Sequence, residues 1–141
     1  MKETDIQLEI LRDVRRLYPG TWGFKLSNQF LAGKPDLFIA APGHNPVFLE
    51  VKYEKAPKKA RPVSLSDITA LQWKNIREAR AAGLKAGWAM VLERGNGMRC
   101  MAVGYGEIDP VYDPADPAGN GTWWLRGRGE SWSLPFVSMR L

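Results

Sequence analysis

Asp36, Glu50 and Lys52 are the residues whose types and spacing could do chemistry together. Asp36 opens one apolar run, Leu37-Phe38-Ile39, and Glu50 and Lys52 lie in a second, Val47-Phe48-Leu49-Glu50-Val51-Lys52. In a strand, alternation sends Glu50 and Lys52 to one face while Val51 points the other way into an apolar layer. Between the runs, Ala41-Pro42-Gly43-His44-Asn45-Pro46 carries turn-forming residues and folds the first strand back beside the second, so Asp36 approaches Glu50. Two carboxylates and a lysine around paired strands ask for a divalent cation and a water to activate.

The rest of the chain bounds that chemistry. Its single cysteine, Cys100, and single histidine, His44, exclude a Cys/His zinc site within one chain, so any metal sits on oxygen ligands. No apolar run is long enough to cross a bilayer and the N-terminus lacks a secretory pattern, so the expectation is a cytoplasmic protein. A formal net charge of +5 suits a nucleic-acid partner. More telling is where the charge gathers, because Lys55, Lys58, Lys59 and Arg61 follow Lys52 in a segment broken by Pro57 and Pro62. That run reads either as a solvated loop or as a phosphate-contacting rim leading out of the site. Lys25, Ser27 and Lys34 flank the site and are candidates to steady a phosphate.

Elements must position these residues. Ile6, Ile10, Leu11, Val14 and Leu17 share a helical face, which predicts a helix over residues 5–17 opened by a capping box at 4–7. Strands are expected at 22–27, 36–40, 46–53, 86–92 and 98–103, the last two joined at Gly95-Asn96-Gly97. A second helix, capped by Ser64 or Ser66, is expected to run to residue 82, with Ile68, Leu71, Ile76, Ala79 and Ala82 facing inward. Gln72 lies inside that stripe and Asn75 near it. A glutamine there either bonds to backbone or reaches the site. On the first helix the same projection puts Glu3 just above the apolar stripe and Glu9 well off it. Glu3 is therefore the better candidate for a third acid, against a plain charge on the helix dipole.

Residues 105–141 differ in texture, with prolines and glycines around Trp123, Trp124 and Trp132. The expected division is a core over 1–104 and a C-terminal extension over 105–141 packed on it. Its tryptophans either cover the sheet or, with Arg126 and Arg128, contact nucleic acid, and burial is the more usual use of tryptophan.

Gly33-Lys34-Pro35-Asp36, Glu50-Val51-Lys52, Leu65-Ser66 and Gln72 together resemble the PD-(D/E)xK nuclease superfamily, most of all its VRR-NUC branch and the archaeal Holliday-junction resolvases. The opening Glu3-Thr4-Asp5-Ile6-Gln7 is similar to the start of VRR-NUC domains. The resemblance covers residues 3–92. It implies a restriction-endonuclease-like α/β fold with an αβββαβ core, a mixed central sheet flanked by helices. It also implies that Asp36, Glu50 and the backbone carbonyl of Val51 bind Mg²⁺ or Mn²⁺, that Lys52 orients or deprotonates the attacking water, and that Glu3 and Gln72 are the N-terminal acid and helix glutamine. The basic insertion between Lys52 and Ser64 is longer than in the family's shortest forms.

The resulting expectation is a Mg²⁺-dependent endodeoxyribonuclease. With no sequence-reading module in the chain, structure-selective cutting of branched or junction DNA is favoured over sequence-specific cutting. A homodimer would suit a two-fold junction. A catalytically inactive nucleic-acid-binding protein of the same fold, and an interaction protein docking through its Trp-rich tail, are the competing classes.

Overall fold

A computed structural model describes residues 1–26 and 33–132 of the chain. Helix α1 (Glu3–Leu17) is followed by strands β1 (Trp22–Lys25), β2 (Leu37–Ala40) and β3 (Val47–Lys55). A short strand β4 (Arg61–Pro62) precedes helix α2 (Ala70–Ala81). Strands β5 (Lys85–Gly95), β6 (Met98–Gly104), β7 (Val111–Tyr112) and β8 (Trp124–Arg126) complete the order. The main sheet runs β1-β2-β3-β5-β6-β8, and β4 pairs with β7 in a separate two-stranded ribbon. Among the described strands only β3 and β5 are parallel, joined through α2, so the sheet is mixed and the order through β5 is the expected αβββαβ core.

Alternation divides the sheet's two faces. Val47, Leu49 and Val51 join Leu37, Ile39 and the stripe Ile6, Ile10, Leu11 and Val14 in a core beneath α1. On the opposite face Met90, Leu92, Cys100 and Ala102 pack with Val63, Leu65, Ile68, Tyr112 and Trp123. β5 is central and covered on both faces, which is why residues 86–92 read as an unbroken apolar run and are all buried. At its end Asn96 and Gly97 both take positive φ, 55° and 77°, as the tight hairpin into β6 requires.

Several expectations shift. α1 starts at Glu3, two residues before the expected start, because the Lys2 backbone N–H donates to Asp5 Oδ2 at 2.8 Å and closes the first turn. α2 begins only at Ala70, since Thr69 and neither Ser64 nor Ser66 is its cap; Ser64 and Ser66 instead bond to each other at 2.8 Å. With the helix so placed, Leu71 is exposed and Ala82 too, and at the end of α1 Leu17 is exposed as well. β3 and β5 run on past their expected ends to Lys55 and Gly95.

Glu9, which the projection sets off the apolar stripe, is buried. The strands reach it from far along the chain: Arg99 on β6 donates to both of its carboxylate oxygens at 2.8 and 3.1 Å, and the Trp132 indole N–H donates at 3.0 Å. Residues 105–132 are thus tied into the fold. β8 adds an antiparallel edge to β6, while Trp123 and Trp132, 2% and 0% exposed, fill opposite faces of the sheet. Arg126 lies buried against Asp13, its Nε 3.3 Å from Oδ2.

Candidate active site

The site grows from the β2/β3 register. Leu37 pairs with Leu49 and Phe38 with Phe48, so one further residue along the ladder sets Asp36 opposite Glu50. Both lie on the face away from α1. Where β2 ends, the Asp36 side chain takes over its ladder role: Oδ2 accepts the Val51 backbone N–H at 2.8 Å. Upstream, the chain reaches Asp36 by passing tightly against α2. Gly33 has φ of +76°, and a Cβ there would lie 2.3 Å from Leu71 Cγ, so only glycine fits.

Glu50 is 2% exposed. Its Oε1 accepts from Gln72 Nε2 at 2.8 Å and lies 3.5 Å from Lys52 Nζ. Its Oε2 is buried and has no hydrogen-bond partner among the described residues. Burial, then the adjacent Asp36 carboxylate, pushes the Glu50 carboxyl up to about 8, against the lowering pull of Lys52.

Gln72 is aimed by the start of α2. It is the third residue after the cap, and its Oε1 accepts the Thr69 backbone N–H at 2.9 Å while Thr69 Oγ1 accepts the Gln72 N–H at 3.1 Å. With its oxygen engaged, the amide's NH₂ is left to face Glu50. Thr69 is a positioning residue not singled out from sequence. The Thr-x-x-Gln spacing is its sequence signal, hidden because the serines upstream are equally good caps.

Glu3, half-buried at the first position of α1, is also brought to this end of the sheet. Burial raises its proton affinity, Lys52 lowers it, and Asp36 and then Asp67 raise it again, so it shares a field with the pair on β2 and β3. Asp67, exposed in the turn before α2, is a further acid not singled out from sequence. Among the described residues no three His, Cys, Asp or Glu side chains gather as a metal cage. The carboxylate pair has instead one oxygen on each member that differs in kind: Asp36 Oδ2 is spent on backbone and Glu50 Oε2 has no partner.

The basic candidates are spread more widely. Lys34 is exposed and its Nζ lies 3.4 Å from Asn75 Oδ1 on α2. Alternation puts Lys25 with Gly23, which faces Leu11 of α1, on the side of the sheet away from Glu50. Lys55, at the end of β3, and Lys58, Lys59 and Arg61 after it are all exposed. Lys55 and Lys58 line a cleft with Arg94 and Tyr112. Ser27 lies outside the described residues. No described helix is long and apolar enough to cross a membrane.

No protein-family model matches the chain, and no curated protein matches it. Its structure is similar to that of Hjc, a Holliday junction resolvase from the archaeal hyperthermophile Archaeoglobus fulgidus, with 17% sequence identity, a TM-score of 0.44, and coverage of 82% of this chain and 86% of that one.

Proposed function

We propose that this chain is a metal-dependent endonuclease that hydrolyses phosphodiester bonds in DNA, with branched or junction DNA as its substrate class. The observation that carries the reading is Glu50, buried opposite Asp36 with Oε2 unpartnered. An unsatisfied buried acceptor costs about 1–3 kcal/mol, and a second acid beside it adds to that cost. Oxygen ligands of this kind fit a hard divalent cation, Mg²⁺ or Mn²⁺. Asp36, Glu50 and the Val51 carbonyl would hold it. When bound, such a cation supplies Lewis-acid stabilisation at the scissile phosphate and lowers the pKa of a bound water.

The chain's own residues do the rest. Gln72 fixes Glu50 by its Oε1 and leaves Oε2 for the ligand side. Lys52, on the same face of β3, holds the attacking water or takes its proton. Glu3 stands as the third acid. Lys34 near α2, Lys55 at the end of β3, and Lys58, Lys59 and Arg61 after it are phosphate contacts, with Ser27 as an outlying candidate. A homodimer presenting two such sites on one face would suit a two-fold junction.

The test is cleavage of supercoiled plasmid, nicked duplex, flap and four-way junction DNA with Mg²⁺ and with Mn²⁺. Wild-type protein cuts at least one form, and Asp36→Ala and Lys52→Ala each lose about a hundredfold or more in rate. If wild type leaves every form intact, the nuclease reading fails; a gel shift without cleavage then favours the inactive DNA-binding alternative.

A further inference from the structure

The ladder rung next to the carboxylates is aromatic. Phe48 pairs with Phe38, and Phe38 with Phe24, across β3, β2 and β1. Their ring centroids are 5.1 and 5.3 Å apart, and Trp22 closes the row at 5.4 Å from Phe24 and 5.9 Å from Phe38. Alternation puts all four rings on the face that carries Asp36 and Glu50. Successive same-face rungs are about 7 Å apart, so the aromatic row borders the candidate active site directly.

Aromatics on a sheet face normally form core. Here α2 packs chiefly on β5, and no described element covers the β1 side of the same face, with Trp22 68% and Phe24 38% exposed. At the row's inner end Phe48 lines a cavity of about 310 Å³ with Lys34, Asn75 and Leu84. Two exposed rings continued by two half-buried ones form an apolar patch of the kind that marks a binding surface.

We infer that the row is a stacking platform for unpaired nucleobases of the strand whose phosphate enters the Asp36/Glu50 site, an inference that rests on the nuclease reading. Two observations select this occupant. The platform is continuous with the site, one rung away, and two lysines stand at its Phe48 end where a phosphate would enter, Lys34 exposed across the cavity from Glu78 and Lys52 beside Glu50. Ring faces beside lysines are what a single strand needs, since every base offers a π face and every linkage a charge. A closed duplex hides its base faces. The platform therefore selects DNA with unpaired nucleotides beside the cut, as at a flap, a gap or an opened junction centre.

The test reads binding without metal, so it is independent of cleavage. Fluorescence anisotropy compares a labelled oligothymidylate with a blunt duplex of equal length, across a salt series. Trp22→Ala and Phe24→Ala, each checked for folding by circular dichroism, weaken single-strand binding about tenfold and leave the slope of log K against log salt unchanged, because stacking releases no counterions. Trp22→Tyr keeps most of the affinity and Trp22→Leu does not, while Lys34→Ala lowers the slope by about one. The inference is overturned if the two alanine variants bind single strands as wild type does, if they lose duplex binding equally, or if Trp22→Leu keeps full affinity. It is overturned equally if sedimentation shows a dimer that Trp22→Ala dissolves, since the face then joins two copies. Cleavage with no dependence of strand binding on Trp22 defeats this inference alone; Trp22-dependent strand binding without cleavage defeats the nuclease reading alone.

Discussion

The Gln72 side-chain amide donates to Glu50 Oε1 at 2.8 Å while its own oxygen is held by the Thr69 backbone N–H at 2.9 Å. One side chain thereby caps α2 and orients the buried acid of β3. Folding energy and site geometry are coupled through a single amide.

That coupling makes Thr69 a positioning residue. Thr69→Ala removes the hydroxyl that accepts the Gln72 N–H, and it lowers stability by about 1 kcal/mol, the usual worth of a cap. Cleavage falls about tenfold in kcat with little change in KM, as for other residues that orient a ligand through an intermediary. Thr69→Ser restores both. Urea unfolding and steady-state cleavage check this together, and a loss of stability with unchanged kcat would show the cap to be structural only.

Glu50 also makes stability depend on pH. Its folded carboxyl, pushed up to about 8 by burial and Asp36, binds a proton that the unfolded chain has released above about 4.5. The folded state therefore holds the extra proton between those values, and its contribution, full below about 4.5, is lost as pH rises through about 8. Glu50→Gln, which keeps the shape and an acceptor for Gln72, should be more stable than wild type by about 1–3 kcal/mol at pH 8.5 without metal, and near equal at pH 5. Urea midpoints at the two values measure the difference; equal gaps at both would contradict the buried-acid account.

The same proton competes with a cation. Binding of Mg²⁺ or Mn²⁺ to the carboxylate pair must displace it, so affinity rises up to about tenfold per unit as pH increases towards about 8, then levels. Calorimetry in two buffers of different ionisation enthalpy should count close to one proton released near pH 7. Chelation reverses the gain in stability that the cation gives. Proton release near zero would place the cation elsewhere.

Gly33 tests how the Asp36 loop is seated. An alanine there would need φ of +76° and would bring its Cβ 2.3 Å from Leu71 Cγ and 2.7 Å from Asn75 Nδ2. Gly33→Ala should cost about 1–3 kcal/mol. Combining it with Leu71→Ala relieves the clash but not the backbone strain, so the double variant recovers part of the loss in a urea titration.

What could be read from the sequence follows from how locally each feature is determined. The strands, the side of β3 on which Glu50 and Lys52 stand, and the hairpin that brings Asp36 back are set by alternation and turn residues within about twenty positions. The sequence starts α2 too early because Ser64, Ser66 and Thr69 are all competent caps, and the contacts that favour Thr69 are tertiary, Asp109 accepting the Leu65 N–H at 3.0 Å and Gln72 reaching Glu50 at 2.8 Å. The burial of Glu9 lies outside a local reading for the same reason in stronger form. Its partners Arg99 and Trp132 lie 90 and 123 residues away, and no helical projection contains them. Trp22, Phe24, Phe38 and Phe48 fall in the expected strands, but their meeting in one row and its exposure depend on strand register and on where α2 sits, which are tertiary outcomes.

The buried cluster on the α1 face should carry much of the stability that joins residues 105–132 to the core. Arg99 donates to Glu9 at 2.8 and 3.1 Å and to Glu93 at 2.9 Å, all at low exposure, and Glu9 is shared with Trp132 and Arg126. Removing one partner of such a set strands the others' charge away from water, so Arg99→Ala should cost about 3–5 kcal/mol. By contrast Lys74→Ala, which breaks the exposed Lys74/Glu78 pair at 3.8 Å, should cost less than about 0.5 kcal/mol. Replacing the arginine together with Glu9, as Arg99→Met with Glu9→Gln, removes both opposed charges and should recover at least about half of the loss. Urea unfolding of the three variants checks the ordering, and an Arg99→Ala effect as small as that of Lys74→Ala would mean that the cluster is hydrated rather than buried.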